Sequence, residues 1–331
     1  MEFFPLAWAI IISFAIAMYV ILDGFTLGTA MLLPLLTEEE RDLAVSVILP
    51  TWDGNQTWLV LGGACLYGAF PVAFSALLPA LYLPLLIMVT ALLFRGVVLE
   101  FRLKDRAHIK YWDRVFTIAS AVVTGIQGMV LATFVSGLDY GTNPALGVKH
   151  NLLSGFSLFV GLCLICGYCL LGATRLIYKT EGKLQEKMYR IAPIAGFLVM
   201  VGIGVVSLWT PFIHPAIYAR WFGQQHWLLL GILPYLAGLT FLVFLYAIRQ
   251  RDDHLPFLCA VSLFILSYIG FLIGLYPYIV PYKLTIWEAA APTSSLYFMI
   301  IGAIIMLPLL LLYTAYSYRI FKGKVTNVFH Y

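Results

Sequence analysis

The chain has 331 residues, of which 62% are hydrophobic and 11% charged, with a mean hydropathy of +0.93 and a net charge of +4 at pH 7. No soluble domain hides that much apolar surface, so the composition excludes a water-soluble enzyme and indicates an all-α polytopic membrane protein. The apolar runs are continuous rather than alternating, which excludes a β-barrel, and the basic residues form no single patch, which argues against nucleic acid as a partner.

Nine spans are expected in one integral membrane domain, 1–331. The first covers 3–36 and is interrupted only by Asp23-Gly24-Phe25-Thr26. It lacks a basic n-region and a small-residue cleavage site, so it reads as a span and not as a removable signal. A polar loop, Thr37-Glu38-Glu39-Glu40-Arg41-Asp42, leads through a short amphipathic stretch to Pro50. The second span is 54–69, and Phe70-Pro71 turns the chain; without that break the next span would merge with it into a helix too long for a bilayer. The third is 73–100, with Pro79 and Pro84 placed to kink it. The others are 115–136, 152–178, 191–212, 227–248, 256–280 and 294–321.

Basic residues orient the bundle. Connections after the odd-numbered spans hold sixteen Lys and Arg, Arg175 and Lys179 among them, whereas the other side has only Lys149, Arg220 and Lys283. The positive-inside rule then puts the N-terminus outside and the C-terminus in the cytoplasm. With that orientation Asp23, Asp53 and Glu100, from three consecutive spans, gather near the cytoplasmic face. Lys104 follows Glu100 at the spacing of a helical ion pair. Carboxylates at membrane depth are the groups that proton routes use. They also serve as caps and snorkelling ion pairs: Asp53 and Gln56 have capping-box spacing, and Trp52 and Trp58 suit an interfacial belt. Both readings stay open on chemistry alone.

His108, His150, His214, His226, His254 and His330 fall in connections or at span ends, so none projects from mid-helix as an axial haem ligand would. The five cysteines, including Cys163, Cys166 and Cys169, sit in apolar helices and read as packing residues. Walker, dinucleotide-binding, zinc-protease and nucleophile-elbow motifs are absent from the sequence. A proton-coupled transporter and a pure scaffold remain alternatives to a catalytic complex at this point.

Asp23-Gly24-Phe25 with Leu27-Gly28, then Trp52-Asp53-Gly54-Asn55-Gln56 with Trp58-Leu59, resembles subunit II of the cytochrome bd-type quinol oxidases. The likeness continues through Phe94-Arg95-Gly96-Val97, Glu100-Phe101-Arg102, Tyr111-Trp112-Asp113, Lys179-Thr180-Glu181-Gly182, Leu284-Thr285-Ile286-Trp287-Glu288 and Leu312-Tyr313-Thr314-Ala315-Tyr316. It covers essentially the whole chain and is most similar to the cyanide-insensitive branch. The resemblance implies two four-helix bundles plus a peripheral ninth helix in a bacterial cytoplasmic membrane. It implies a haem-free subunit with no catalytic or metal-binding residue of its own, paired with a subunit I that holds haems b and d, or b only. That complex oxidises quinol, reduces oxygen to water with protons from the cytoplasm and generates a proton motive force. Some members also carry a structural quinone or small accessory subunits. Residue by residue, Asp53 and Glu100 match proton-route acids, Asp23 belongs to the same route, and Lys104 and Tyr331 match polar partners at its mouth. Trp58, with Trp52 beside it, matches a position tied to oxygen access or structure. One departure is Thr26, where the family commonly has a second acid; Glu100 for aspartate is a milder one.

Overall fold

The computed structural model describes residues 3–137, 152–213, 217–219 and 227–325. Among them are eleven α-helices: α1 (Phe3–Leu32), α2 (Glu38–Ile48), α3 (Trp52–Ala69), α4 (Pro71–Ala80), α5 (Tyr82–Lys104), α6 (Ile109–Ser136), α7 (Gly155–Lys179), α8 (Gly182–Ile213), α9 (Trp227–Arg249), α10 (Leu255–Leu275) and α11 (Thr293–Ile320). A two-stranded antiparallel hairpin, β1 (Tyr278–Val280) and β2 (Leu284–Thr285), lies between the last two helices. Eight stretches among the described residues are long and apolar enough to cross a membrane. Helix α3 has 18 residues, but Asp53, Asn55 and Gln56 lower its hydropathy; with it the expected nine passages are accounted for.

Three boundaries differ from the hydropathy reading. The Asp23-Gly24-Phe25-Thr26 stretch does not interrupt α1, because its polar groups find partners inside the bundle. The third span is two helices, broken at Leu81 (φ −108°, ψ 13°) between Pro79 and Pro84. Pro84 has no N–H to give the carbonyl four residues back, so the ladder cannot run through. The eighth span ends at Leu275, and Pro277 and the hairpin follow. Helix α8 instead starts nine residues earlier than its apolar run, at Gly182. Its polar first turns are held by Lys187 on Glu40, Arg251 on Glu186 and Tyr189 on Asp253.

Helices α1, α3, α4–α5 and α6 make one bundle and α7–α10 the second, while α11 lies along α3 and α1 with only Leu296 buried. The spine is α7, which packs against α1, α6, α8 and α10. It does so closely because glycines face it. A Cβ on Gly28 would stand 1.7 Å from the Tyr168 carbonyl oxygen, and one on Gly172 2.5 Å from the Thr29 nitrogen. On the other side a Cβ on Gly128 would meet the Gly161 Cα at 2.6 Å. Small residues at such crossings let backbones touch, which is the main attractive term where lipid supplies no hydrophobic drive.

One end of the molecule carries the α1–α2, α5–α6, α7–α8 and α9–α10 connections and most basic residues; it is called the basic end below. Helix α2 is tucked beneath it, its start fixed by a Thr37–Glu40 capping box and its residues Ala44 to Ile48 all buried. Burial works against the Glu40 charge, but the Thr37 amide and Lys187 outweigh it and hold the carboxyl below its usual range. Buried Arg102 binds Asp113 at 2.6 Å and Asp42 at 2.8 Å, and Arg41 and Arg106 complete the network at 3.4 and 3.0 Å. It ties the α1–α2 region to the facing ends of α5 and α6. After α11 the chain is held to the C-terminus of α7. Lys179 Nζ donates to the Phe321 and Gly323 carbonyls, and Val325 N donates to the Lys179 carbonyl at 2.7 Å. Asp253 receives Lys324, Gln185 and the Tyr189 hydroxyl.

Two outcomes follow. Gly28→Ala forces α1 and α7 apart and should destabilise the folded chain by about 1–3 kcal/mol or more. Gly204→Ala, with nothing within 4 Å of its added Cβ, should be nearly neutral. Denaturant unfolding of the two variants in detergent compares them, and equal stabilities would contradict the close crossing. At Asp253 burial pushes the carboxyl up, but Lys324 and the Tyr189 hydroxyl outweigh it and hold it below the ordinary carboxylate value. Its contribution is therefore complete above about pH 3.9 and is lost as pH falls through the lower folded value. Hydrogen exchange of Lys322–Val325 should be steady from roughly pH 8 to 5, after correction for intrinsic rates, and should accelerate below about pH 4.

Candidate functional site

The sequence-predicted residues divide into a buried set and an exposed set. Asp23 and Arg95 are both fully buried. Arg95 Nη1 donates to the two Asp23 oxygens at 2.8 and 2.7 Å, joining α1 to α5 across the bundle. The Trp52 ring lies 5.9 Å from the guanidinium and rests on Gly96, where a Cβ would stand 3.3 Å away. Trp52 thus links α3 to α5 through its side chain.

Asp53, Glu100 and Lys104 are exposed. Asp53 is not the N-cap that its spacing with Gln56 predicts. Thr51 holds that position without a side-chain cap, because α3 already begins at Trp52. Asp53 sits in the first turn, where the helix dipole favours a carboxylate. Glu100 and Lys104 lie on α5 at the expected spacing but form no ion pair, as is common for solvated side chains. Each acid ends a stripe of outward residues: Asp53 with Val60 and Tyr67 on α3, and Glu100 with Leu93 and Val97 on α5. The two acids thus share the basic end and face out of the chain, whereas Asp23 is enclosed. Tyr331 lies outside the described residues.

Trp58 is fully buried between α1 and α3, edge-on to Phe14 at 5.8 Å and packed near Leu307 and Leu310. Thr26 belongs to a neutral hydrogen-bonded set. Asn55 Nδ2 donates to the Leu22 carbonyl at 2.8 Å and to Thr26 Oγ1 at 3.4 Å, and Tyr318 Oη donates to Asn55 Oδ1 at 2.9 Å.

Sequence reasoning placed Arg175 in a connection and missed its role. It is a buried side chain one turn inside α7, with its guanidinium carbon 4.8 to 5.4 Å from the rings of Phe25, Tyr178, Phe257 and Tyr318. Four aromatic faces substitute for a counter-ion. The four aromatics come from four different helices, α1, α7, α10 and α11, so no local signal in the sequence marked the cage. Reasoning also missed Tyr19, Gln127 and Tyr168, a hydrogen-bonded set from α1, α6 and α7 that ends one helical turn from Asp23.

An apolar cavity of about 280 Å³ opens among α6 to α10, lined by Val160, Cys163, Gly202, Val206, Ala237 and Phe264 among others. Its walls fit a hydrocarbon chain. The described histidines do not fit haem ligation inside a bundle. His108 bonds Asp105 in the turn before α6, and His254 precedes α10 against the Tyr178 ring. His150, His214, His226 and His330 lie outside the described residues.

Fold and charge distribution define an integral membrane protein of two packed helix bundles, with ionisable groups both enclosed and presented outward. The chain belongs to the cytochrome bd terminal oxidase subunit II family, whose sequence pattern matches residues 4–321. It is 24% identical to cytochrome bd-I ubiquinol oxidase subunit 2 of Escherichia coli K12, over 97% of this chain and 94% of that one. It is 25% identical to cytochrome bd ubiquinol oxidase subunit 2 of Bacillus subtilis 168, over 97% and 96%. The fold matches a chain of the bd oxidase from Geobacillus thermodenitrificans with a TM-score of 0.81 at 17% identity, covering 97% of this chain and 99% of that one. The chain is thus a subunit of a bd-type oxidase, an oxidoreductase complex of electron transport, and family membership implies a partner subunit I.

The Asp23–Arg95 pair yields an expected outcome. Asp23→Asn strands a buried guanidinium and should cost about 3–5 kcal/mol, whereas Asp23→Asn with Arg95→Met removes both charges and should recover most of it. Thermal unfolding of the purified protein compares the two, and a neutral single variant would mean the pair is not ionised.

Proposed function

We propose that this chain is the haem-free subunit II of an electrogenic quinol:oxygen oxidoreductase of the bacterial inner membrane. It pairs as a heterodimer with a haem-bearing subunit I, where quinol is oxidised and oxygen is reduced to water. Its own contribution is to supply protons from the cytoplasmic side, so that turnover generates a proton motive force. The basic end is the cytoplasmic end in this reading, in accord with the positive-inside rule.

The observation that carries it is the pair of acids at the same end of two outward stripes. Asp53 and Glu100 have no ion-pair partner among the described residues and stand on faces otherwise built of Val60, Tyr67, Leu93, Phe94 and Val97. A carboxylate on such a surface belongs against a partner or a water-filled path, because lipid offers it no solvation. Subunit I is assigned to this face, with Asp53 and Glu100 as the proton-exchanging groups and Lys104 at the mouth; Tyr331 is proposed as a second polar partner of the route. Asp23, enclosed against Arg95, supports the route as a fixed charge. Trp58 is assigned to packing of α1, α3 and α11, and Trp52 to bridging α3 and α5. The cavity among α6 to α10 suits the apolar tail of a structural quinone or a lipid acyl chain; Cys163, Ser207, Thr210, Ser267 and Tyr282 are its few polar lining residues.

A tag on this chain should pull down a larger membrane subunit with reduced-haem absorption and quinol-dependent oxygen uptake. A colourless, partnerless preparation under conditions that keep complexes together would overturn the reading. Within that complex Asp53→Asn and Glu100→Gln should each leave haem content unchanged and slow oxygen uptake roughly tenfold, a change of about 1.4 kcal/mol in barrier. Wild-type turnover in the double variant would remove both acids from the route.

A further inference from the structure

Four helices send polar side chains to one point inside an otherwise apolar bundle. Tyr168 Oη donates to Gln127 Oε1 at 2.9 Å, and Gln127 Nε2 donates to the Tyr19 hydroxyl at 2.6 Å. Tyr19 stands one helical turn before Asp23 on the same buried face of α1, and Arg95 holds the carboxylate from α5. Tyr19, Asp23, Arg95 and Tyr168 are all buried. Gly24, next to Asp23, is what admits the Tyr168 ring: a Cβ there would stand 2.9 Å from it. Phe264 stacks on the far side of that ring at 5.8 Å and holds it in place.

The set has a direction. A glutamine carbonyl only accepts and its amide nitrogen only donates, so the Gln127 amide cannot donate both ways. With Tyr168 donating to the carbonyl and the amide donating to the Tyr19 oxygen, the Tyr19 proton is left free to turn toward the carboxylate one turn along α1. The reversed amide would turn the Tyr19 proton away and leave Asp23 with Arg95 alone. A buried anion selects the first arrangement, because hydrogen bonds to a charged acceptor are roughly twice as strong as neutral ones. An amide in the middle also makes the set a poor proton conductor, since it has no labile proton to pass on at neutral pH. It can polarise but not relay.

We propose that Tyr19, Gln127 and Tyr168 form a one-way hydrogen-bond chain that holds the Asp23 carboxylate charged and aimed at Arg95, making them positioning residues for the buried acid. Other groups near Asp23 leave that assignment intact. Helix α3 offers neutral Asn55 and Trp52, α11 offers Tyr318 already bonded to Asn55, and α10 offers Tyr268 bonded to the Ser13 carbonyl. Arg175 on α7 is enclosed by its own aromatic cage. The consequence for turnover rests on the proposed oxidase function; the consequence for Asp23 itself does not.

The test uses the whole complex purified through this chain, with Tyr19→Phe and Tyr168→Phe, both of which keep the ring and its packing. Infrared pH titration follows a carboxylic-acid carbonyl band that is absent from the Asp23→Asn/Arg95→Met double variant. Removing the Tyr19 donor should raise the midpoint of that band by about one to two pH units. Tyr168→Phe should raise it by less, since it acts through Gln127. The acid limb of oxygen uptake should move the same way. Should Tyr19→Phe fail to assemble, Tyr168→Phe decides alone. An unmoved midpoint in every variant that assembles with wild-type haem content would overturn the proposal. A shifted midpoint in a complex that takes up no oxygen would uphold it and sink the oxidase reading instead.

Discussion

Backbone contact along α7 is the constraint on which the rest of the structure depends. Gly28 and Gly172 bring α1 against it on one side, and Gly128 and Gly161 bring α6 against it on the other. Without side chains between them, these three helices share one layer of close packing, and the polar groups they carry are fixed to within the reach of a hydrogen bond. Tyr19 meets Gln127, and Gln127 meets Tyr168, because the helices have no freedom to slide. In a membrane such packing is the main source of cohesion, since lipid tails are as apolar as leucine. The same glycines therefore stabilise the bundle and set the geometry of its charged centre.

That centre separates two kinds of charge. The Asp23–Arg95 pair is closed to solvent: Arg95 Nη1 holds both carboxylate oxygens, while its Nε and Nη2 are buried without a hydrogen-bond partner among the described residues. A closed buried pair is costly to create and costlier to break, so it behaves as fixed structure. Arg175 is fixed by other means, in a ring of four aromatic faces. The Arg102 network at the basic end likewise binds three segments through Asp42 and Asp113. Asp53, Glu100 and Lys104 belong to the other kind, with no side-chain hydrogen bond or ion pair among the described residues.

Most of the helical order was legible, because nine apolar runs and the turn at Phe70-Pro71 leave few alternatives for a chain this hydrophobic. Hydropathy reports where a segment is apolar and not where its helix ends, which is why α8 begins in a charged stretch and the eighth span stops short at a hairpin. The site was legible in part. The Trp-Asp-Gly-Asn-Gln block and Glu100 stood out because polar groups are rare here, and both proved to lie at the basic end. Sequence could not reveal that Asp23 is enclosed while Asp53 is exposed, since that depends on which face of each helix meets a neighbour. Tyr19, Gln127, Tyr168 and Arg175 gave no local signal at all. Their roles arise from contacts between residues up to 150 positions apart, as between Arg175 and Phe25.

The contrast between closed and open charges bears on how a two-subunit oxidase could divide its work. A group that carries protons must change charge during turnover, and it can do so cheaply only where water or a partner can rearrange around it. Asp23 has no such freedom, because Arg95 and the Tyr19 hydroxyl are locked by close-packed helices. Its charge is better suited to shaping the potential that a moving proton meets. Asp53 and Glu100 have the freedom but lack an environment, as their side chains leave this subunit. On the proposed reading a second subunit completes that environment and turns two exposed acids into a path, while the charge that steadies the path stays inside this one.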